Sequence, residues 1–129
     1  GFIMVFLTDD NYVDKAENVI NSLKRIRKKN NSDTFFLTTS KIRKLLSLTS
    51  TLYDESRVRE YDDLKDKVAY LKVQYIYQAG KEPSVKDLVI KGEIIEALNE
   101  IKDRESLQRF CRYMEALVAY FKFYEGEEQ

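Results

Sequence analysis

An all-α fold, a single-domain bundle of about five helices, is what this 129-residue chain predicts, and three features carry that expectation. Pro83 is the only proline, and the four glycines (Gly1, Gly80, Gly92, Gly126) are scattered as punctuation. Apolar residues recur at three- and four-residue spacing, the period of a helix with one buried face. Charge nearly vanishes from two long stretches: between Arg112 and Glu125 only Glu115 and Lys122 are charged, and between Lys72 and Lys81 nothing is. A small monomer has no use for helices apolar on almost every side. Each such helix is either wedged in the centre of a bundle or shared with a partner surface.

The first helix is expected to be capped near Thr8 or Asp9 and to bury Tyr12, Ala16, Val19, Leu23 and Ile26. It ends in the basic run Lys24-Arg25-Ile26-Arg27-Lys28-Lys29, whose charge suits a helix C-terminus, and Asn30-Asn31-Ser32-Asp33 follows as a loop. A second helix starts near Thr38 or Thr39 and places Ile42, Leu45, Leu46, Thr49, Leu52 and Tyr53 on one face. The third runs from about Tyr61 to Ala79, with Gly80 in the left-handed C-terminal position. Ser84-Val85-Lys86-Asp87 resembles a capping box opening a fourth helix through Leu88, Ile94, Ile95, Leu98 and Ile101. Gly92 inside it costs about 1 kcal/mol relative to alanine, which leaves a bend and a break as alternatives. The fifth helix starts near Asp103 and ends before Gly126. Residues 5–129 read as one helical domain, and residues 1–4 as an expression remnant or the start methionine, Met4.

Twenty-two Lys plus Arg balance 22 Asp plus Glu, so no global field draws the chain to nucleic acid or membrane. The charge is unevenly placed, with basic patches at Lys24–Lys29 and Lys41–Lys44 and an acidic tail from Glu125 to Gln129. The single cysteine, Cys111, cannot form an internal disulfide and points to a reducing cytoplasm. No stretch approaches the length of a membrane span, and no membrane partner is expected. Histidine is absent, which excludes a zinc site or a histidine-based triad; no cofactor is expected. Chemistry on carboxylates or lysines alone remains formally open.

On the second helix Ser40, Arg43, Ser47, Ser50 and Arg57 share a stripe, with Lys41 and Lys44 beside it. Small hydroxyls next to guanidinium and ammonium groups suit phosphate oxygens; a solvated helix face is the alternative. On the third helix Asp63, Lys67, Gln74, Gln78 and Lys81 share a stripe, and on the fifth Gln108, Arg112, Glu115 and Lys122 do. Arg112 and Glu115, three apart, are placed to pair with each other. Tyr75, Tyr77, Tyr113 and Tyr120 suit either base stacking or a core with hydroxyls at its rim. Cys111 reads as a buried, inert thiol. The acidic positions Asp54, Glu55, Glu60, Asp62 and Asp63 lack calcium-loop spacing and read as a charged linker between helices.

Three stretches, taken in order, resemble one family: Thr38 to Leu46, Tyr70 to Lys81, and Phe110 to Tyr124. Their order and spacing are similar to the small helical subunit of the type III-A CRISPR effector, the Csm complex, over nearly the whole chain after Met4. The resemblance implies a non-catalytic subunit stacked along the target RNA path. Its implied partners are guide RNA, target RNA, the backbone and large subunits, and copies of itself. Mapped by motif, it points to Arg43, Lys44, Lys72, Lys81 and Lys122 as RNA contacts, to which the basic stripes add Lys41 and Arg112. The family often carries arginine where this chain has Lys81; lysine keeps the charge and loses bidentate phosphate geometry. Two rivals come from the residues alone. One is a helical adaptor or homodimer that touches no RNA, and the other is a small nuclease using Glu and Lys, for which no carboxylate pair lies on one apolar cleft.

Overall fold

The computed structural model describes residues 6–124. Met4 and the acidic tail from Glu125 to Gln129 lie outside the described residues, as does the chain just before Gly126. Six α-helices, a 3-10 turn and a two-stranded hairpin make up the described chain. The expected all-α architecture is therefore observed, with a small β addition.

The last helix, α6 (Arg104–Phe123), is the axis of the core. Its start is fixed by a reciprocal cap: the Asp103 carboxylate accepts the Ser106 N–H at 2.8 Å, and Ser106 Oγ accepts the Asp103 N–H at 3.1 Å. Leu107, Phe110, Tyr113, Met114, Leu117 and Phe121 are all buried. They pack mainly against α1 (Tyr12–Ser22) and α2 (Thr39–Ser56). Aromatic pairs lock this arrangement: Tyr75 meets Phe110 edge-on at 6.0 Å, and Phe6 meets Tyr113 edge-on at 5.9 Å. Such pairs contribute about 0.5–1.5 kcal/mol each beyond their buried area. Of the two low-charge stretches, this one has most of its large apolar side chains covered by the bundle, with Phe123 near its end left exposed.

The first helix is shorter than its periodicity suggests. Asn11, not Thr8 or Asp9, is the N-cap, and the helix stops at Ser22, before the basic run. Arg25–Arg27 is instead a strand, β1, paired antiparallel with β2 (Asp33–Phe35). Ile26, expected in the core, is 41% exposed. The reason is electrostatic as well as local. A helix would bring Lys24 over Lys28 and Arg25 over Lys29 at destabilising four-residue spacing, whereas extended chain at about 3.3 Å per residue keeps charges four apart roughly 13 Å from each other. The turn is built by Asn31 in the left-handed region, φ 67°, a conformation asparagine tolerates. The Asn30 side chain supports it by accepting the Ser32 N–H at 3.1 Å. Arg25 stacks on Phe35 and Lys24 on Phe36, so part of the run's charge lies on aromatic faces.

Helix α2 begins after Thr38 and buries Ile42, Leu45, Thr49 and Leu52, the face its spacing predicts. After a 3-10 turn at Tyr61–Asp63 comes α3 (Lys65–Lys81). Gly80 is not its left-handed terminator: it sits within the helix, no glycine among the described residues has positive φ, and Glu82 closes the helix. Helix α4 (Pro83–Lys91) starts from Glu82, with Pro83 in its first turn. The predicted Ser84 capping box is therefore absent. Ser84 lies inside the helix, fully buried, and Asp87 turns away to accept the Lys24 N–H at 2.8 Å. Gly92 breaks the predicted fourth helix in two, and α5 (Ile94–Asn99) follows.

Candidate nucleic-acid interface

The C-terminal end of α3 approaches the N-terminal turn of α2, and there Lys41, Lys44 and Lys81 line one cleft of 220 Å³ with Ser40, Gln78 and Glu82. Periodicity supplies half of this: Lys41 and Lys44 lie three apart on α2, and Gln78 and Lys81 three apart on α3, so each pair shares a helix face. Packing supplies the other half by bringing the faces together. Lys44 and Lys81 are exposed. Lys41 is partly sheltered, and its Nζ lies 3.2 Å from Glu82 Oε2. Three lysines lining one opening, with Ser40 and Gln78 beside them, are side chains suited to an anion and supply no base-reading geometry of their own.

The other predicted cations are dispersed. Arg43 is exposed on α2 but does not line the cleft. Lys72 donates to Asn99 Oδ1 at 2.6 Å, a contact that ties α3 to the end of α5. Arg112 is exposed on α6, and among the described residues no ion pair joins it to Glu115; the expected intrahelical pair is not formed. Lys122 lies about 15 Å further along the same helix, exposed near its C-terminal end.

The hydroxyl stripe on α2 is less available than the sequence suggests. Ser47 Oγ donates to the Arg43 carbonyl at 3.0 Å, and Ser50 Oγ to the Ser47 carbonyl at 3.3 Å. Both hydroxyl protons are spent on the helix's own backbone. The tyrosines divide. Tyr75 and Tyr113 are fully buried and unavailable for stacking on bases, and burial raises both phenols above their ordinary range. Tyr77 is exposed, while half-buried Tyr120 stacks on Tyr124. Cys111 is buried, and that burial, reinforced by Glu115, pushes its thiol up to about 12. A thiol held protonated is unreactive.

The second low-charge stretch meets a different fate from the first. Helix α3 buries Val68, Leu71, Tyr75 and Ala79, yet exposes Tyr70 (63%), Val73 (58%), Ile76 (50%) and Tyr77 (63%) on its opposite side. This apolar ridge joins, through Tyr70, a 330 Å³ groove floored by Leu48, Leu52 and Leu71 between α2 and α3. A larger opening of 670 Å³ lies at the start of α6, but its polar groups serve the fold. Glu100 accepts the Phe6 and Leu7 N–H groups, Asp103 caps α6, and Arg109 Nε donates to Asp9 at 2.9 Å.

Glu82 is the cleft residue that sequence reasoning missed. Its only signal was its position between Lys81 and Pro83, at the junction of two helices. Among the described residues no cluster of three or more His, Cys, Asp or Glu is placed to hold a metal ion. No described helix is long and apolar enough to cross a membrane.

Fold and surface define a small all-helical protein whose distinctive features lie on exposed helix faces rather than in an enclosed cavity. The sequence profile of the Csm2 type III-A family matches residues 10–127. The chain is 62% identical over 125 residues to the "CRISPR system Cms protein Csm2" of Streptococcus thermophilus, covering 97% of this chain and all of that one. It is 46% identical over 125 residues to the protein of the same name from Mycobacterium tuberculosis strain H37Rv, covering 93% and 96%. The relative of that name from Enterococcus italicus is 36% identical over 97 residues, or 68% of each chain. The chain belongs to the Csm2 type III-A family, the small subunits of the Csm complex.

Proposed function

We propose that this subunit is non-catalytic, that it stacks along the guide and target RNA path, and that it holds RNA by its phosphates without reading sequence. The observation that carries the reading is the convergence of Lys41, Lys44 and Lys81 on one cleft. In a guide-directed complex base pairing reads the sequence, so a supporting subunit needs backbone contacts only. Exposed Arg43, on the same helix as two of the lysines, extends the cationic surface. Arg112 and Lys122 on α6 and Lys72 on α3 act as separate, outlying contacts. Electroneutrality of the whole chain limits repulsion between neighbouring copies and keeps the affinity of one copy for RNA low and strongly salt-dependent.

The test is reconstitution. Guide-loaded Csm complex lacking its small subunit is mixed with this protein and target RNA, and the assembly is weighed by native mass spectrometry. Discrete copies should be taken up, more of them with target RNA present, and Lys44→Glu with Lys81→Glu should reduce the RNA-dependent share. RNA-independent uptake that the charge reversals leave unchanged would overturn the phosphate reading.

A second reading has its own support in the apolar ridge on α3. There the chain is a helical adaptor that meets copies of itself, the backbone subunits or the large subunit through Tyr70, Val73 and Tyr77, and touches no RNA. Exposed aromatic and branched apolar side chains in one continuous strip are what a protein interface requires.

A further inference from the structure

We infer that Glu82 is a built-in counter-anion of the lysine cleft, one that occupies Lys41 when no phosphate is present and so sets the cleft's affinity for RNA. The inference rests on the phosphate-binding reading above and adds a regulating residue to it.

The placement of Glu82 is determined by backbone on both sides. Its N–H donates to the Gln78 carbonyl at 2.9 Å, closing α3, and its own carbonyl accepts the Val85 and Lys86 N–H groups at 3.0 Å, opening α4. Pro83 next to it favours the extended conformation observed, φ −122° and ψ 111°. A residue held by two helices at once cannot carry its side chain far from the cleft. Glu82 stands at the N-cap of α4, yet its carboxylate makes no capping hydrogen bond. It turns to Lys41 instead, at 3.2 Å.

Charge balance then decides the consequence. Three lysines and one glutamate line the cleft. A phosphodiester carries the same single negative charge as the carboxylate and competes for the same ammonium group. Binding therefore either displaces Glu82 from Lys41 or leaves Lys41 neutralised and uses only Lys44 and Lys81. In both cases Glu82 lowers affinity. Both side chains of the ion pair are about one-third exposed (36% for Lys41, 31% for Glu82). Exchange in that setting carries little desolvation cost, and solvent screening keeps the effect modest. A subunit that works in a stack of copies gains from this arrangement, because a weak single site suppresses binding to stray RNA while the assembled row still holds its target.

The experiment measures binding of the full chain to a fluorescent oligouridine by anisotropy across a salt series starting at low ionic strength. The variants are Glu82→Gln, Lys41→Gln, their combination, and Lys44→Glu with Lys81→Glu. Glu82→Gln should tighten binding roughly three- to tenfold and steepen the salt dependence by about one phosphate contact. Lys41→Gln alone should weaken binding, and combined with Glu82→Gln it should return binding to about the unsubstituted level, erasing the gain. If Glu82→Gln has no effect while the Lys44 and Lys81 reversals lose binding, the counter-anion role is wrong and the phosphate reading stands. A gain that survives Lys41→Gln also overturns it. If no variant alters RNA binding, or none binds even at low salt, the phosphate reading itself fails and this inference with it. Far-ultraviolet circular dichroism and urea midpoints of each variant check that helicity and stability are retained.

Discussion

Tyr113, buried at the middle of α6, donates its hydroxyl to the carbonyl oxygen of Gly92 at 2.8 Å. The break between α4 and α5 is thereby tied to the central helix. The carbonyl that Gly92 leaves unused at the helix end is satisfied by a side chain from the core rather than by water.

Gly92 and Gly80 should respond oppositely to alanine. A Cβ at Gly92 would lie 2.9 Å from the Leu88 carbonyl oxygen and 3.2 Å from Ile94 Cγ1, whereas one at Gly80 meets nothing within 4 Å. Gly92→Ala should cost about 1–3 kcal/mol, and Gly80→Ala, inside a helix, should stabilise by about 0.5–1 kcal/mol. Urea midpoints followed by far-ultraviolet dichroism give both values. Equal shifts in one direction would contradict the geometry.

Stability should fall in alkali. Burial raises the Cys111 thiol from 9.0 to about 12 and lifts the Tyr75 and Tyr113 phenols above 10.0. Below the ordinary values both folded and unfolded chains keep these protons, and the groups' contribution is complete. As pH rises past 9.0, the unfolded chain releases protons that the folded chain retains, so unfolding is favoured progressively. Denaturant midpoints should decline from about pH 9 upward. Cys111→Ala should delay the onset towards the tyrosine range. An unchanged onset in that variant would show that the thiol is not part of the linkage.

Asp103 governs the acid side at the start of α6. Hydrogen bonds from the Ser106 N–H, and then from its hydroxyl, hold this carboxyl below its ordinary range. Its contribution is present above the ordinary carboxylate range and is lost as pH falls through the lowered value. Asp103→Ala should cost about 1 kcal/mol near neutrality. Asp103→Asn should keep most of the cap and remove its acid dependence. Midpoints measured at neutral and acidic pH separate the two variants.

The exposed ridge on α3 should matter for assembly and not for folding. Val73→Glu with Tyr77→Glu changes side chains that are 58% and 63% exposed, so stability should stay within about 0.5 kcal/mol. Uptake into Csm complex lacking its small subunit should drop. Normal uptake by this variant would remove the ridge as a contact between subunits.

Much of this was legible along the chain because the signals are local. The apolar spacing of α2, the Asp103 start of α6 and the weak point at Gly92 each act within about one helical turn. The basic run misled for the opposite reason: Lys24 to Lys29 suits a helix terminus in isolation, and becomes a strand because Asp33–Phe35 returns to pair with it. Ser84 likewise lost its capping role to the Glu82–Pro83 step immediately before it. The candidate site was readable residue by residue, but not as a group. Seven cations were singled out, and only Lys41, Lys44 and Lys81 meet.

By itself, the sequence determined the helical class, the main helices and their apolar faces, the buried thiol and the family, because periodicity, caps and residue chemistry are written in neighbouring positions. Tertiary structure alone decided which low-charge helix is covered. Helix α6 packs most of its apolar side chains against α1 and α2, while α3 keeps one apolar face exposed. It also decided that two lysines of α2, one lysine of α3 and Glu82 share a cleft. Those approaches depend on which surfaces pack together across tens of residues, and no local pattern encodes a distance between faces that only folding brings into contact.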